Sequence, residues 1–244
     1  MKAERSIWIL IGSMLLAGCA PEPETPASVG ATPELNGDVK PASEATRAAN
    51  AAVLERLPFE NSADFELANR GFIAGPDALV IEDAQGRRIW DMTVYDFIQG
   101  DAPDTVNPSL WRQARLNNIH GLFEVVDGIY QVRGYDLSNI SFIRGETGWI
   151  VIDPLISVEA ARAALELVNK ELGARPVVAV IYTHSHADHF GGVRGVTTPD
   201  EVALGRVRIL APEGFSHHAV SENVLAGNVM TRRAEYMFGG LLEP

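Results

Sequence analysis

The chain has 244 residues, of which 46% are hydrophobic and 21% charged, so it can build one good-sized core and is not disordered throughout. Its 20 Lys and Arg residues stand against 32 Asp and Glu residues, which gives a formal net charge of −12. No basic patch interrupts this acidic excess, and a nucleic-acid partner is therefore excluded, since such surfaces need clustered Lys and Arg. The single cysteine excludes an intrachain disulfide.

The N-terminal residues have the pattern of an export signal. A basic start is followed by a short apolar run from Ile7 to Leu16, which is too short to span a bilayer as a stable helix. Small residues then precede Cys19 and resemble a bacterial lipoprotein box, in which the signal is cut before the cysteine and the cysteine is acylated. We expect a signal peptide over residues 1–18 and an exported, periplasmic lipoprotein whose partner is the membrane, through a lipid on Cys19. A plain secretory peptide with an incidental cysteine is the alternative.

Two segments precede the main domain. Residues 19–41 are rich in Pro, Glu, Ala and Thr and bury too little apolar surface to offset ordering entropy, so a flexible, disordered tether is predicted. Residues 42–120 are predicted to be an N-terminal extension of the following domain rather than a separate one. Its expected elements are an Ala-rich helix over 42–57, a hairpin of strands 79–81 and 88–91, a short helix over 94–98, and a helix capped by Asn107.

Residues 121–244 are predicted to open with antiparallel strands and to continue with a helix and a buried strand. The pairs 123–126 with 129–132 and 140–144 with 149–152 flank Gly-containing turns, the first of them Asp127-Gly128. Ser157 is a helix cap, the apolar spacing continues to Leu172, and Gly173 ends the helix. The run 177–182 is apolar on both sides and predicts a strand buried between layers. A strand over 208–210 and helical stretches over 213–238, interrupted near Gly227, follow.

The ligand-type side chains are concentrated just after that buried strand. His184, His186, Asp188 and His189 lie within six positions, and imidazole nitrogens and carboxylate oxygens are the ligands that a borderline ion such as zinc takes. His184 and His186 form one couple and Asp188 and His189 a second, so each couple can serve one of two neighbouring ions. Gly191-Gly192 follows and lets the backbone approach closely. The pattern predicts a binuclear hydrolytic centre.

The His-x-His-x-Asp-His motif resembles the signature of the metallo-β-lactamase superfamily. The flanking runs 121–136, 148–154 and 190–195 are similar to the alkylsulfatase branch of that superfamily, and the likeness extends from about Asn107 to the C-terminus. The resemblance implies an α+β fold that is the first half of an αββα sandwich, with two zinc ions at the edge where the sheets meet.

The resemblance also implies roles for individual residues. The metal ligands are expected to be His184, His186, Asp188 and His189, with Asp188 also orienting a metal-bound hydroxide. Asp153 is expected to lie beneath the metal loop and to orient it. On local grounds alone, Asp153 is nearly as well explained as a turn-starting residue before Pro154. His217, His218 and Glu222 do not correspond to later ligand positions of the family.

The activity implied for the full-length protein is hydrolysis of alkyl sulfate esters to alcohol and sulfate by a hydroxide held between the two ions. The family supplies further ligands well beyond the position of Pro244, so we expect this chain to be the N-terminal, truncated part of a longer protein that is inactive alone. The resemblance allows a homodimer of the full-length protein. Two alternatives stay open: a superfamily hydrolase of lactones, thioesters or β-lactams, and an inactive lipoprotein fragment.

Overall fold

The computed structural model describes residues 40–238. The predicted signal peptide over 1–18, the acylated Cys19 and all but the last two residues of the predicted tether lie outside these residues. The described residues form seven α-helices: α1 (Glu44–Arg56), α2 (Ala63–Asn69), α3 (Pro108–Asn117), α4 (Val158–Leu172), α5 (Pro199–Ala203), α6 (Phe215–Val220) and α7 (Gly227–Phe238). In this part of the chain no helix combines the length and apolar character that crossing a membrane requires.

Nine strands form a seven-stranded mixed sheet and a separate hairpin. They are β1 (Phe72–Ala74), β2 (Val80–Glu82), β3 (Arg88–Asp91), β4 (Gly121–Val126), β5 (Ile129–Arg133), β6 (Ile140–Arg144), β7 (Trp149–Ile152), β8 (Val177–Ile181) and β9 (Arg208–Leu210). The large sheet has the order β1-β4-β5-β6-β7-β8-β9, and β2 pairs only with β3. Strands β1 to β7 of that sheet are antiparallel, whereas β7, β8 and β9 run parallel. The α+β class predicted from the sequence is confirmed.

Helix α4 makes the crossover between β7 and β8. The hydroxyl of Ser157 accepts a hydrogen bond from the Ala160 amide at 3.1 Å, and the helix ends at Gly173, whose φ is +90°. The buried face of α4 consists of Ala160, Ala161, Ala164 and Val168. These side chains share one hydrophobic core with buried residues of the sheet, among them Tyr130, Val132, Phe142, Trp149, Val151 and Val180. Both predicted helix ends are confirmed.

Strand β8 runs along the core but is not equally buried on both faces. Val177 and Val180 are buried, whereas Val178, Ala179 and Ile181 are half-buried. The strand is interior in the sheet, between β7 and β9, and none of its residues is exposed, but its burial is incomplete. Apolar residues on both faces predict a strand in the interior of a sheet. They do not predict how much of each face is buried.

The remaining predicted strands and turns are largely present. At the Asp127-Gly128 turn only the glycine has a positive φ, +77°, and a bulge between Glu124 and Val126 absorbs the irregularity. The helix expected over 94–98 is only a 3₁₀ turn, Thr93–Tyr95, in which the amides of Asp96 and Ile98 donate to the carbonyls three residues back, those of Thr93 and Tyr95. Helices α2 and α5 and strand β1 were not predicted.

The C-terminal helical stretch is interrupted as predicted. Between α6 and α7 lies a π-helical turn, Ser221–Leu225, and the break at Ala226 directly precedes Gly227. This turn carries Glu222 and Asn223 back toward the loop that follows β8.

Candidate metal centre

The loop after β8 is seated directly on the backbone that follows β7. The amide of Gly192 donates a hydrogen bond to the carbonyl of Leu155 at 2.9 Å. A Cβ atom at Gly192 would lie 2.3 Å from the Pro154 carbonyl oxygen and 2.4 Å from that of Ser157, closer than real Cβ atoms approach. Only glycine allows this contact, which is the close backbone approach predicted from the Gly-Gly pair.

The segment beneath the loop has an unusual backbone. Asp153 and Leu155 adopt φ values of +54° and +60°, the only non-glycine residues in the left-handed region among those that the structure describes. Such conformations are disfavoured and persist where the surroundings hold them, often at functional sites. The conformation places the Asp153 carboxylate against Thr183, whose amide donates to Oδ1 at 2.8 Å and whose hydroxyl donates to Oδ2 at 2.6 Å.

One ring nitrogen of His184 and one of His186 lie close enough together to bind the same ion. Nε2 of His184 lies 3.0 Å from Nδ1 of His186, and the ring centroids are 4.6 Å apart. Two nitrogens bound to one tetrahedral zinc ion at about 2.0–2.1 Å stand roughly 3.3 Å apart, so this pair needs little movement to share an ion. Without an ion, the two nitrogens lie at hydrogen-bonding distance.

Asp188 and His189 form a second pair beside the first. Oδ2 of Asp188 lies 3.3 Å from Nε2 of His189, close to the separation of two ligands on one ion. The rings of His184 and His189 are 4.1 Å apart at their centroids, so the two pairs are adjacent. The structure thus brings together all four residues that the sequence predicted as ligands.

Asp153 has a different position from these four. One ligand atom each from Asp153, His184 and His189 lie within 4.8 Å of one another, which taken alone would make Asp153 a ligand. Its Oδ2, however, already accepts from the Thr183 hydroxyl and faces Nδ1 of His189 at 2.9 Å. We therefore favour an orienting role, in which Asp153 holds the His189 ring through the nitrogen that points away from Asp188.

Three further residues, none of them predicted to do so, support the loop or the segment beneath it. The buried Asp136 accepts hydrogen bonds from the amides of Leu137 and Ile156, at 2.6 and 2.8 Å, and burial raises its pKa. The hydroxyl of Ser138 donates to the carbonyl of Asp188. Glu222 contacts the loop from the π-helical turn. Their sequence positions carry no local motif, since each acts on residues 20 to 50 positions away.

His217 and His218 lie elsewhere. Both are on α6, where their rings are 5.5 Å apart at the centroids, and neither joins the clustered donors among the described residues. This placement agrees with their lack of correspondence to ligand positions.

Comparison with known proteins identifies the family of this centre. Residues 133–242 match the model of the metallo-beta-lactamase superfamily. This part of the chain is similar to that superfamily. The matched residues include Asp153 with the backbone that follows it (residues 153–158, the cradle), the complete loop after β8 (residues 182–195, the metal loop) and most of the C-terminal helices.

Several proteins that are similar to this chain over most of its length are sulfatases. A linear primary-alkylsulfatase from Pseudomonas sp. is 58% identical over 84% of this chain and 31% of its own length. An alkyl/aryl-sulfatase from Saccharomyces cerevisiae is 48% identical over 82% of this chain and 31% of its own length. The solved structure of a stereoselective inverting sec-alkylsulfatase from Pseudomonas sp. matches with a TM-score of 0.77 and 54% identity, covering 82% of this chain and 31% of the other. The chain thus spans about a third of the length of these relatives.

Proposed function

We propose that the protein acts in the hydrolysis of alkyl sulfate esters to alcohol and sulfate. The observation that carries the proposal is the pair of adjacent donor couples, His184 with His186 and Asp188 with His189, on a loop whose surroundings resemble alkylsulfatases at up to 58% identity. Because the chain spans about a third of those relatives, their activity is a proposal for this protein.

The donor set supports zinc as the metal and two ions as the number. His184 and His186 offer two nitrogens, and Asp188 and His189 offer one oxygen and one nitrogen. Zinc accepts both ligand types in tetrahedral sites. Two bound zinc ions would activate a water molecule and neutralise negative charge that gathers on the sulfate ester. Water and the ester would then yield the alcohol, sulfate and one proton.

The residues of this chain hold the donors in place for that reaction. Thr183 and Asp153 fix the start of the loop, and Asp153 also faces the distal nitrogen of His189. The glycines keep the loop seated on the cradle, while Ser138 holds the backbone at Asp188. Asp188 is the residue that would also orient the attacking water.

The first test is metal content. We expect the purified chain to bind two equivalents of zinc by elemental analysis, and His184→Ala and Asp188→Ala to lose at least one. His217→Ala, on α6 and outside the donor cluster, is the control and should keep both. Stoichiometric binding that survives both loop substitutions would refute the assignment of this centre.

The second test is substrate class. The assay uses the full-length protein, because this chain is expected to be inactive alone. Sulfate release from a primary alkyl sulfate, measured beside the opening of a lactone, a thioester and a β-lactam, assigns the chemistry. Sulfate release alone supports the proposal, whereas turnover of only the other substrates assigns the centre to a different hydrolase. No turnover of any of the four substrates by the full-length protein would support the alternative of an inactive lipoprotein.

We further propose that the protein is exported to the periplasm and anchored to the membrane through acylated Cys19. The support is the basic start, the apolar run 7–16 and the small residues before the cysteine. Radiolabelled palmitate should label the wild type and not Cys19→Ala, which should leave the membrane fraction. The resemblance to alkylsulfatases also supports a homodimer, which sedimentation analysis tests.

A further inference from the structure

The β5–β6 connection, residues 134–139, passes beside the metal centre and contributes two buried polar side chains. Asp136 and Ser138 are 7% and 8% exposed, whereas Leu137 between them is 68% exposed. This alternation indicates that Asp136 and Ser138 point to the same, interior side of the connection. Asp136 contacts the cradle, and Ser138 contacts the metal loop. One short segment therefore contacts both parts of the centre.

Asp136 accepts from a backbone amide of the cradle. The amides of Asp153 and Leu155 donate to backbone carbonyls, and residue 154 is a proline without an amide hydrogen. The amide of Ile156 donates instead to Oδ2 of Asp136, at 2.8 Å. Ile156 directly follows Leu155, whose φ is +60°, so removal of this acceptor would leave an amide unpaired next to a disfavoured backbone conformation.

Ser138 donates to a backbone carbonyl of the metal loop. Asp188 lies in a 3₁₀ turn of that loop. The amides of Gly191 and Gly192, which could close the chain on the Asp188 carbonyl, donate to other carbonyls. The Asp188 carbonyl accepts instead from the hydroxyl of Ser138. This hydrogen bond holds the backbone of a predicted ligand without engaging its carboxylate, which faces His189.

The connection is itself fixed at its first residue, Gly134. The indole of Trp90 donates a hydrogen bond to the Gly134 carbonyl at 2.7 Å. A Cβ atom at Gly134 would lie 2.4 Å from the Cβ of His120, so the glycine packs directly on that side chain. The next residue, Tyr135, is buried. A segment held in this way can keep two other segments at a constant separation.

We propose that Asp136 and Ser138 are positioning residues that set the position of Asp188 relative to the cradle. The cradle begins with Asp153, which faces the ring of His189, while Ser138 holds the backbone of Asp188. The connection thereby fixes how the Asp188–His189 pair is presented to an ion. Asp136 is not itself a ligand, because both of its oxygens accept backbone amides. The inference rests on the proposed function in one respect, namely that Asp188 and His189 are ligands.

Zinc affinity tests the positioning role. In competition titrations of this chain with a chelator, Asp136→Asn and Ser138→Ala should each bind zinc about 10–100-fold more weakly than wild type. Asparagine has one acceptor oxygen where both oxygens of Asp136 are used, so it cannot keep both hydrogen bonds. Ser138→Thr keeps the hydroxyl and should restore most of the affinity. Wild-type affinity in both Asp136→Asn and Ser138→Ala would overturn the proposal.

Two matched controls separate positioning from general stabilisation. Asp83→Asn changes a carboxylate that also accepts two backbone amides, those of Gln85 and Arg87, in the turn between β2 and β3. Ser141→Ala removes a hydroxyl that accepts a hydrogen bond from Gln131 on the neighbouring strand. Both controls should lower stability in denaturant titrations and keep wild-type zinc affinity. An equal loss of affinity in the controls would contradict a specific role of the β5–β6 connection.

Amide hydrogen exchange of the metal-free chain provides a readout that needs no ion. Ser138→Ala should accelerate exchange at Gly191 and Gly192, and Asp136→Asn should accelerate it at Ile156 as well. Exchange in α3, which is not in contact with the connection, should stay at the wild-type rate. Uniform acceleration along the whole chain would contradict the proposal. Should Asp136→Asn fail to fold by circular dichroism, Ser138→Ala and Ser138→Thr carry both measurements.

The outcomes separate this inference from the proposed function. A wild type that binds no zinc, with exchange accelerated only around the metal loop in Ser138→Ala, would contradict the metal centre and support the positioning contacts. A wild type that binds zinc, with unchanged affinity and exchange in Asp136→Asn and Ser138→Ala, would contradict the positioning role and leave the metal centre standing.

Discussion

Asp153 has hydrogen-bonding neighbours at both of its carboxylate oxygens. Thr183 donates to each of them, and Nδ1 of His189 lies 2.9 Å from Oδ2. The side chain thus ties the start of the metal loop and one of the predicted ligands to the end of β7. The local sequence, Asp before Pro, suggested only a turn-starting residue. The three contacts show that Asp153 connects β7 to the metal loop.

We predict that Asp153→Asn weakens zinc binding about 10–100-fold, the range typical for partners of metal-bound histidines. Asparagine offers one acceptor oxygen where aspartate has two, so it cannot satisfy both the Thr183 contacts and the His189 ring. Asparagine also tolerates the left-handed backbone of this position, φ +54°, so backbone strain does not explain a loss. A chelator competition titration measures the effect, and an unchanged affinity would contradict the orienting role.

Asp91, which is outside the metal loop, should make the stability of the fold depend on pH. Its hydrogen bonds from Thr93, with the adjacent Arg88 guanidinium at 2.6 Å, lower its pKa below the ordinary value of 3.8. Because the folded state then binds its proton at lower pH than the unfolded state, the stabilisation is complete above about pH 4 and is lost as pH falls through the lowered pKa.

Asp91→Asn should therefore lower the free energy of unfolding by about 1–2 kcal/mol at pH 7 and by much less at pH 2. Denaturant titrations at the two pH values measure the difference. Asp77→Asn, at an exposed position before β2, is the control and should show no such pH dependence. An equal loss at both pH values would show that packing rather than charge stabilises the turn.

The packing of the metal loop depends on two segments, the loop after β8 and the backbone that follows β7. Gly191, Gly192 and Gly195 all lie against carbonyl oxygens of residues 154–158, at distances that a side chain cannot fit. We predict that Gly192→Ala pushes the loop off this backbone, lowers stability by about 1–3 kcal/mol and weakens zinc binding. Gly227→Ala, which meets nothing within 4 Å at the start of α7, should be neutral or slightly stabilising.

The elements with a strong local signal were predictable and the others were not. Helix α4 has both a capping serine and a terminal glycine, and strands β4 to β7 flank glycine-containing turns, so their positions followed from the sequence. Strand β1 has only three residues and is specified by its pairing with β4, a contact distant in sequence. The helix expected over 94–98 is instead a 3₁₀ turn, because its amides bond carbonyls three rather than four residues back, a choice that has no local sequence signal.

The residues of the metal centre also include some that could be predicted from the sequence and some that could not. His184, His186, Asp188 and His189 follow one strand in one loop, so their proximity could be inferred from spacing alone. Asp136, Ser138 and Glu222 come from the β5–β6 connection and from the π-helical turn. A tertiary contact brings each of them to the loop, and no periodicity in the sequence encodes it.

On the scale of the whole described molecule, the N-terminal extension and the sheet share one core. Leu79, Ile81 and Met92 are at most 7% exposed and belong to the same hydrophobic cluster as Trp149 and α4. The indole of Trp90 also donates a hydrogen bond to the carbonyl of Gly134 at 2.7 Å, directly after β5. Because the N-terminal extension and the sheet bury the same set of side chains, the two should unfold together.

We predict that Ile81→Ala lowers the free energy of unfolding by about 2–5 kcal/mol, because it leaves a cavity in the shared core. Ile89→Ala is the matched control, since Ile89 lies on the partner strand β3 but is 37% exposed, and it should lose much less. Amide hydrogen exchange measures how the loss is distributed. Exchange should accelerate in β6 as well as in β2 if the two parts form one cooperative unit. Acceleration confined to β2 and β3 would instead show that the extension opens independently of the sheet that carries the metal loop.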